Sequence, residues 1–237
     1  MSHLTGNERA VYVRKMFGRI AQRYDLLNRL MTIGQDANWR REAIKHLELN
    51  ERSTVADLGS GTGDLAIEIV DQYPDAFVIA SDFTPEMIWV GRSRPQRPQL
   101  RWLVADAQYL PFPSNSFDAV ISGFLLRNVP DVDRSLQEQK RILAEGGCVV
   151  SLDTTPPRDN LLKPFLDFHF KYIIPLLGRL IAGDAEAYTY LPASTAKFKT
   201  AEDLAKRFSN AGFSGVGFVR RMFGTIGIHW GRKGSSR

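Results

Sequence analysis

Asp57-Leu58-Gly59-Ser60-Gly61-Thr62-Gly63-Asp64 is the stretch that decides how this chain folds. Before it, Thr54–Leu58 is a short apolar run that reads as a buried strand. After it, Asp64–Gln72 reads as a helix. Glycines between a strand and a helix allow a tight turn and bring the backbone close to a ligand, with helix N–H groups aimed at it. A purely structural turn has the same letters, so the surroundings must decide.

Outward from this turn, short apolar runs alternate with helical patterns, the signature of parallel βαβ units. Strands are expected at Phe77–Ser81, Leu100–Val104, Phe117–Ser122, Gly147–Asp153, Phe213–Arg220 and Thr225–Trp230. Helices are expected at Pro85–Gly91, Asp131–Ala144 and Ala201–Ala211, the second with Asp131 as N-cap and Gly146 just past its end. A helical region, Glu8 to Leu49, precedes the first strand. An apolar, aromatic helical insertion spans Asp159–Ala182. The expected architecture is α/β: a doubly wound, seven-stranded, mostly parallel sheet in one structural domain. Residues 1–53 form an N-terminal helical cap. Residues 54–237 form the main unit, with a helical, substrate-side insertion at about 159–192 before the sixth strand.

Three consecutive strands end in Asp57, Asp82 and Asp106, all on the carboxyl edge where open sheets bind ligands. Asp82 stands where such folds place a carboxylate on ribose hydroxyls. Asp106, followed by Ala107, stands where a carboxylate can meet an adenine amino group. A nicotinamide fingerprint reads G-x-G-x-x-G, whereas this loop reads G-x-G-x-G. Asp57, two residues ahead of the first glycine, can meet the aminoacid part of S-adenosylmethionine. The pattern resembles motif I of class I S-adenosylmethionine-dependent methyltransferases, whose seven-strand layout matches the one expected here. That resemblance implies S-adenosylmethionine as cofactor, held around Asp57, Gly59, Gly61, Thr62, Gly63, Asp82, Asp106, Ala107 and Gly123. A nicotinamide dehydrogenase is the alternative, distinguished by binding of a reduced nucleotide.

Further motifs spread from about Val11 to Lys233. Tyr24-Asp25-Leu26-Leu27-Asn28, Met31, Thr32, Asp36 and Trp39 follow a Tyr-Asp-x-Met-Asn…Ser…His…Trp signature, with Leu27 for Met, Thr32 for Ser and Asp36 for His. Arg141–Gly147 and Asp153-Thr154-Thr155 follow loosely a second signature that ends in Glu-x-Ser. Leu126-Arg127-Asn128-Val129 matches an Arg-Asn-Val segment, with Gly123 where Ser is usual. Ala187–Ser194 is similar to a Tyr-x-Tyr-Leu-x-x-Ser run. The chain thus resembles the ubiquinone/menaquinone biosynthesis C-methyltransferase family, and Gly34-Gln35-Asp36 looks like menaquinone-pathway members. The resemblance implies C-methylation of a prenylated hydroquinone, demethylmenaquinol to menaquinol first and a ubiquinone precursor second.

Carbon is a poor nucleophile unless an adjacent hydroxyl is deprotonated, so the site needs a base or bound water and stabilisation of the phenolate. Arg127 and Asn128 are expected to orient the hydroquinone oxygen or a water. Arg127 stays protonated and suits an electrostatic role better than that of the base. Tyr24 and Asp25 are expected to close over the site from the cap. Asp36 is assigned no catalytic role. His169 lies among Phe165, Phe168 and Phe170, an aromatic stripe expected to line a channel for the isoprenoid tail. The four histidines show no metal-ligand spacing, and no metal is expected.

The single cysteine, Cys148, rules out an internal disulfide and reads as a buried strand residue. No segment approaches the ~20 apolar residues of a membrane span, and Met1–Ala10 lacks the apolar core of a signal peptide. A cytoplasmic protein is expected, peripheral at the inner membrane face. The net charge of +5 can favour transient contact with an anionic membrane surface, and no motif supports nucleic acid. A homodimer is left open. Two other functions stay in view: a methyltransferase of another small phenolic or lipid acceptor, and a non-catalytic cofactor-binding subunit of a quinone-biosynthesis complex.

Overall fold

The computed structural model describes residues 6–156, 190 and 193–234. The insertion expected at 159–182, with His169 and its aromatic stripe, lies outside the described residues, as does most of the 187–194 motif.

Seven strands form one sheet in the order β3-β2-β1-β4-β5-β7-β6. These are β1 (Thr54–Leu58), β2 (Phe77–Asp82), β3 (Leu100–Val104), β4 (Phe117–Gly123), β5 (Leu143–Thr154), β6 (Phe213–Arg221) and β7 (Ile226–Lys233). The first five pair in parallel, while β7 runs antiparallel to both β5 and β6. β1 lies between β2 and β4, so the chain reverses its winding at the β1/β4 boundary. A crevice opens there at the carboxyl ends of the strands.

Burial on both faces follows the strand period of two. In β1, Val55 joins one core layer and Ala56 the other. On the first face lie α3 (Gln35–Lys45) and α4 (Asp64–Gln72), through Trp39, Ala43 and Ile44 of α3 and Leu65, Ala66 and Ile69 of α4. On the second lie α6 (Val132–Ile142) and α7 (Ala201–Asn210), through Leu136, Ile142, Leu204 and Phe208. Between β2 and β3 runs α5 (Pro85–Arg92), with Pro85 in its first turn, where a missing N–H costs nothing. The cap proper is α1 (Gly6–Ile20) and α2 (Tyr24–Met31), joined by a 3-10 turn. They share a small core of Met16, Ile20, Leu27 and Met31. α3, although in the N-terminal stretch, packs on the sheet.

Most boundaries fall within a residue or two of expectation, β7 runs on to Lys233, and the largest difference lies between α6 and β5. The helix expected to run to Ala144 stops at Ile142; Asp131 does cap it, accepting from the Arg134 N–H at 3.0 Å. Leu143 turns extended and pairs with Phe117, so β5 starts earlier than Gly147. Gly146, with φ +76°, therefore sits inside β5 where its register with β4 shifts, not at a helix end. Gly147 comes so close to β4 that a Cβ would lie 2.8 Å from the Asp118 carbonyl oxygen. Cys148 is buried in β5, and burial pushes its thiol up to about 11.

Candidate active site

The turn after β1 needs its glycines for different reasons. Gly59, Gly61 and Gly63 all have positive φ, at 65°, 57° and 88°. Gly61 is the one aimed at open space, with the Tyr24 ring its nearest neighbour at 3.9 Å from a built Cβ. Gly63 instead makes room for Trp102 of β3, whose ring would lie 2.2 Å from a Cβ there. Gly63 was expected to touch the cofactor; the side on which its Cβ would stand faces the core, and it lines neither of the two clefts on the carboxyl edge.

Asp57 also has a structural role that the sequence did not show. It is fully buried beneath the loop, and its Oδ2 accepts the Ala66 N–H of α4 at 3.1 Å, so it caps a helix whose N-cap, Gly63, has no side chain. Its Oδ1 and the nearby Ser60 hydroxyl are buried without a hydrogen-bond partner among the described residues. Burial pushes the Asp57 carboxyl up to about 8. A cationic ammonium placed against it would meet both the unpartnered oxygen and the unfavourable burial.

Two clefts open on the carboxyl edge, and both are lined by Tyr24, Gly61 and Phe124. The one with about 740 Å³ of space holds Asp82 and Asp106 with Phe83, Ala107, Gln108 and Leu125. Asp82 accepts the Gly61 N–H at 2.9 Å and the Thr84 N–H at 2.7 Å. Burial raises its pKa, and these two N–H groups oppose that. Asp106 accepts the Gln108 N–H at 2.8 Å. Two acids at the ends of neighbouring strands, an aromatic ring beside them and an apolar floor suit a nucleoside. Helix α1 covers this cleft with Ala10, Val13, Arg14 and Phe17. The sequence reading passed over these four, although the three apolar ones lie at i, i+3 and i+7 on one face of a helix.

The other cleft has about 980 Å³ of space and holds Asn28, Thr62, Gly123, Trp39 and Arg127. Arg127 pairs with Asp153 of β5: its Nη1 donates to Oδ1 at 2.7 Å and its backbone N–H to Oδ2 at 3.1 Å. The two side chains are only 3% and 1% exposed, and the guanidinium lies 5.1 Å above the Phe124 ring. The Arg127 Nε–H is buried without a partner among the described residues. Asn128 faces the nucleoside-shaped cleft instead, donating to the Phe124 carbonyl at 2.9 Å and accepting from the Tyr190 hydroxyl at 3.1 Å. Phe124, unforeseen from sequence, holds φ at +58° where the clefts meet, a strained angle for an aromatic residue.

The cap is fastened to the glycine loop by alternating charge. Asp25 pairs with Arg94 and accepts from the Thr62 hydroxyl at 2.6 Å; Arg94 also reaches Asp64 at 2.7 Å. Asp64 in turn meets Arg40 at 3.1 Å, and Arg40 meets Asp36 at 2.8 Å. Asp25, expected to act within the site, lines neither cleft because both its oxygens are held in this clasp. Tyr24 does line both clefts. Burial raises its pKa, against the pull of the Arg127 charge, so its hydroxyl is a donor at neutral pH.

The described residues contain no cluster of His, Cys, Asp or Glu suited to a metal, and no helix long and apolar enough to cross a membrane. The model of the ubiE/COQ5 methyltransferase family matches residues 4–233. The ubiquinone/menaquinone biosynthesis C-methyltransferase of Desulfotalea psychrophila is 48% identical over 221 residues, covering 93% of this chain and 90% of that one. The demethylmenaquinone methyltransferase of Thermus thermophilus is 40% identical over 218 residues, covering 91% and 99%. Among solved structures, the putative methyltransferase bound to the Haloferax volcanii Trm112 activator superposes with a TM-score of 0.65 at 18% identity, covering 92% and 98%. With two clefts meeting at one loop and a match along nearly its whole length, the chain belongs to the ubiE/COQ5 family and is an S-adenosylmethionine-dependent C-methyltransferase.

Proposed function

We propose that the acceptor is a prenylated hydroquinone, that demethylmenaquinol is the main one, and that it is methylated on a ring carbon to give menaquinol. One observation carries this reading: the cleft that joins the nucleoside-shaped one at Tyr24 is lined by Arg127, a buried guanidinium whose Nε–H finds no partner among the described residues. A fixed cation with an open donor suits a phenolate oxygen, and the apolar wall of Met31, Trp39, Leu65 and Ile226 suits a fused ring. The names of the relatives and the Gly34-Gln35-Asp36 variant support the naphthoquinol.

S-adenosylmethionine supplies an electrophilic methyl on a positively charged sulfur. Asp82 and Asp106 would hold its ribose and adenine, while Asp57 Oδ1 and Ser60 would meet its aminoacid end. Arg127 and the Tyr24 hydroxyl lower the cost of ionising the acceptor hydroxyl, whose proton leaves to water. Electron density then moves to the adjacent ring carbon, which takes the methyl as the methyl–sulfur bond breaks and a neutral thioether leaves. That carbon then loses its own proton to water, restoring the aromatic ring, and the oxygen is reprotonated from water. No carboxylate in the acceptor cleft is free of an arginine partner among the described residues, so water is the proton acceptor in this scheme.

The test compares kcat/KM for a reduced short-tailed demethylnaphthoquinol, the matching benzoquinol and a simple catechol. The naphthoquinol should lead by tenfold or more, on the order of one ring's worth of buried apolar surface. Preference for the catechol would overturn the reading in favour of a small-phenol methyltransferase.

A further inference from the structure

The chain spends backbone strain to expose two large apolar side chains. Ile33 holds φ at +54° and is 82% exposed; Phe223 holds φ at +55° and is 63% exposed, next to Met222 at φ +47°. A β-branched or aromatic residue with positive φ is an outlier, and asparagine or glycine would fill either position with less strain. Folding alone does not select isoleucine and phenylalanine there.

Both tips sit at one opening. Thr32 and Met31, beside Ile33, and Met222 and Thr225, beside Phe223, all line the acceptor cleft. Arg221 fixes the second tip to α3 through Glu42, with Nε donating at 2.8 Å. Helix α2 runs up to the first tip: Leu26 and Leu30, 54% and 44% exposed, share one face of the helix at i and i+4, while Leu27 and Met31 face the cap core. Beside the rim, the charge left unpaired among the described residues is positive. Arg29 is exposed and makes no ion pair among the described residues, whereas Asp25, Asp36 and Glu42 are each taken by an arginine.

We propose that Leu26, Leu30, Ile33 and Phe223 form an apolar rim that seats the mouth of the acceptor cleft on an anionic lipid bilayer. Apolar tips insert below the headgroups while Arg29 meets anionic lipid. The acceptor's tail then passes from bilayer to cleft without crossing water. The purpose of the rim rests on the lipid-tailed quinol reading, but its test does not.

The test is sedimentation of the full chain with vesicles of mixed phosphatidylglycerol and phosphatidylcholine, and of phosphatidylcholine alone. The parent should partition onto the mixed vesicles more strongly. Ile33→Asn and Phe223→Asn should each weaken partitioning by about tenfold. Neither should lower the melting temperature, because asparagine tolerates the left-handed region, and neither should change kcat on a tail-less quinol. Parental partitioning by both variants would overturn the proposal, as would a parent that ignores vesicles. So would a parental dimer, seen by light scattering, that the variants dissolve, because the rim would then join two copies. If no quinol is methylated yet partitioning still depends on the tips, the acceptor reading fails and the rim stands.

Discussion

Replacing Arg127 alone gives an ambiguous result, and the structure shows how to resolve it. Its side chain and that of Asp153 are 3% and 1% exposed, so Arg127→Met strands a buried carboxylate. Removing one partner of such a pair costs about 3–5 kcal/mol. In a chain of this size that lowers Tm by roughly 10 °C, enough to depress activity by unfolding alone. Arg127→Met with Asp153→Asn removes both charges, and the amide oxygen can keep one of the N–H bonds that Asp153 accepts from Arg127 and Thr154. The double variant should recover most of the lost Tm. If the guanidinium steadies the phenolate, kcat stays down by about 10²–10³-fold in both variants, with the affinity for S-adenosylmethionine within about twofold of the parent. Calorimetry gives Tm, titration the cofactor affinity, and label transfer the rate. A double variant with parental kcat would show that the pair is structural only. Lost cofactor binding in both would place Arg127 on the wrong side of the site.

Asp57 carries a pH signature. Its folded pKa of about 8 lies above its ordinary value, so the folded chain keeps a proton that the unfolded chain releases. Stability should fall as pH rises from about 4 to 8 and then level off. Asp57→Asn should flatten that slope in denaturant titrations and weaken cofactor binding; an unchanged slope would refute the assignment. Gly63→Ala meets both a positive φ and the Trp102 ring, and should cost about 2–4 kcal/mol. Adding Trp102→Ala should give a loss smaller than the sum of the two, since the clash with the ring vanishes. Arg94→Met opens the clasp between α2 and the glycine loop. It should raise the cofactor KM several-fold while costing about 1–3 kcal/mol of stability, because the arginine is only a quarter exposed and Asp25 and Asp64 both lose it as a partner. An unchanged KM would mean the clasp does not order the loop.

Local rules carried far in this chain. The seven strands, the glycine turn and the acids at three strand ends were legible because each depends on short-range periodicity or turn chemistry. What escaped was set by distant partners. Nothing near Gly63 says that Trp102 will lie against it, so a packing glycine and a ligand glycine read alike. Asp25 sits in a signature together with Tyr24, yet Arg94, far along the chain, turns it away from the clefts. Arg127 and Asp153 both stood out in the sequence, but their pairing depends on the β4/β5 register, which the Gly146 irregularity offsets. The Asp36–Arg40 pair, although i and i+4 on one helix, was not among the expectations. Phe124 left no signal, because strain at a strand end follows from the tertiary fold.

The central claim is that the two clefts meeting at Tyr24 bring a sulfonium methyl to a quinol ring carbon. The most direct measurement supplies S-adenosylmethionine with a carbon-13 methyl and a reduced short-tailed demethylnaphthoquinol, and reads the product by carbon NMR. The account predicts a single label in the aryl-methyl region. A label in the methoxy region, or none while the cofactor is bound, would contradict it.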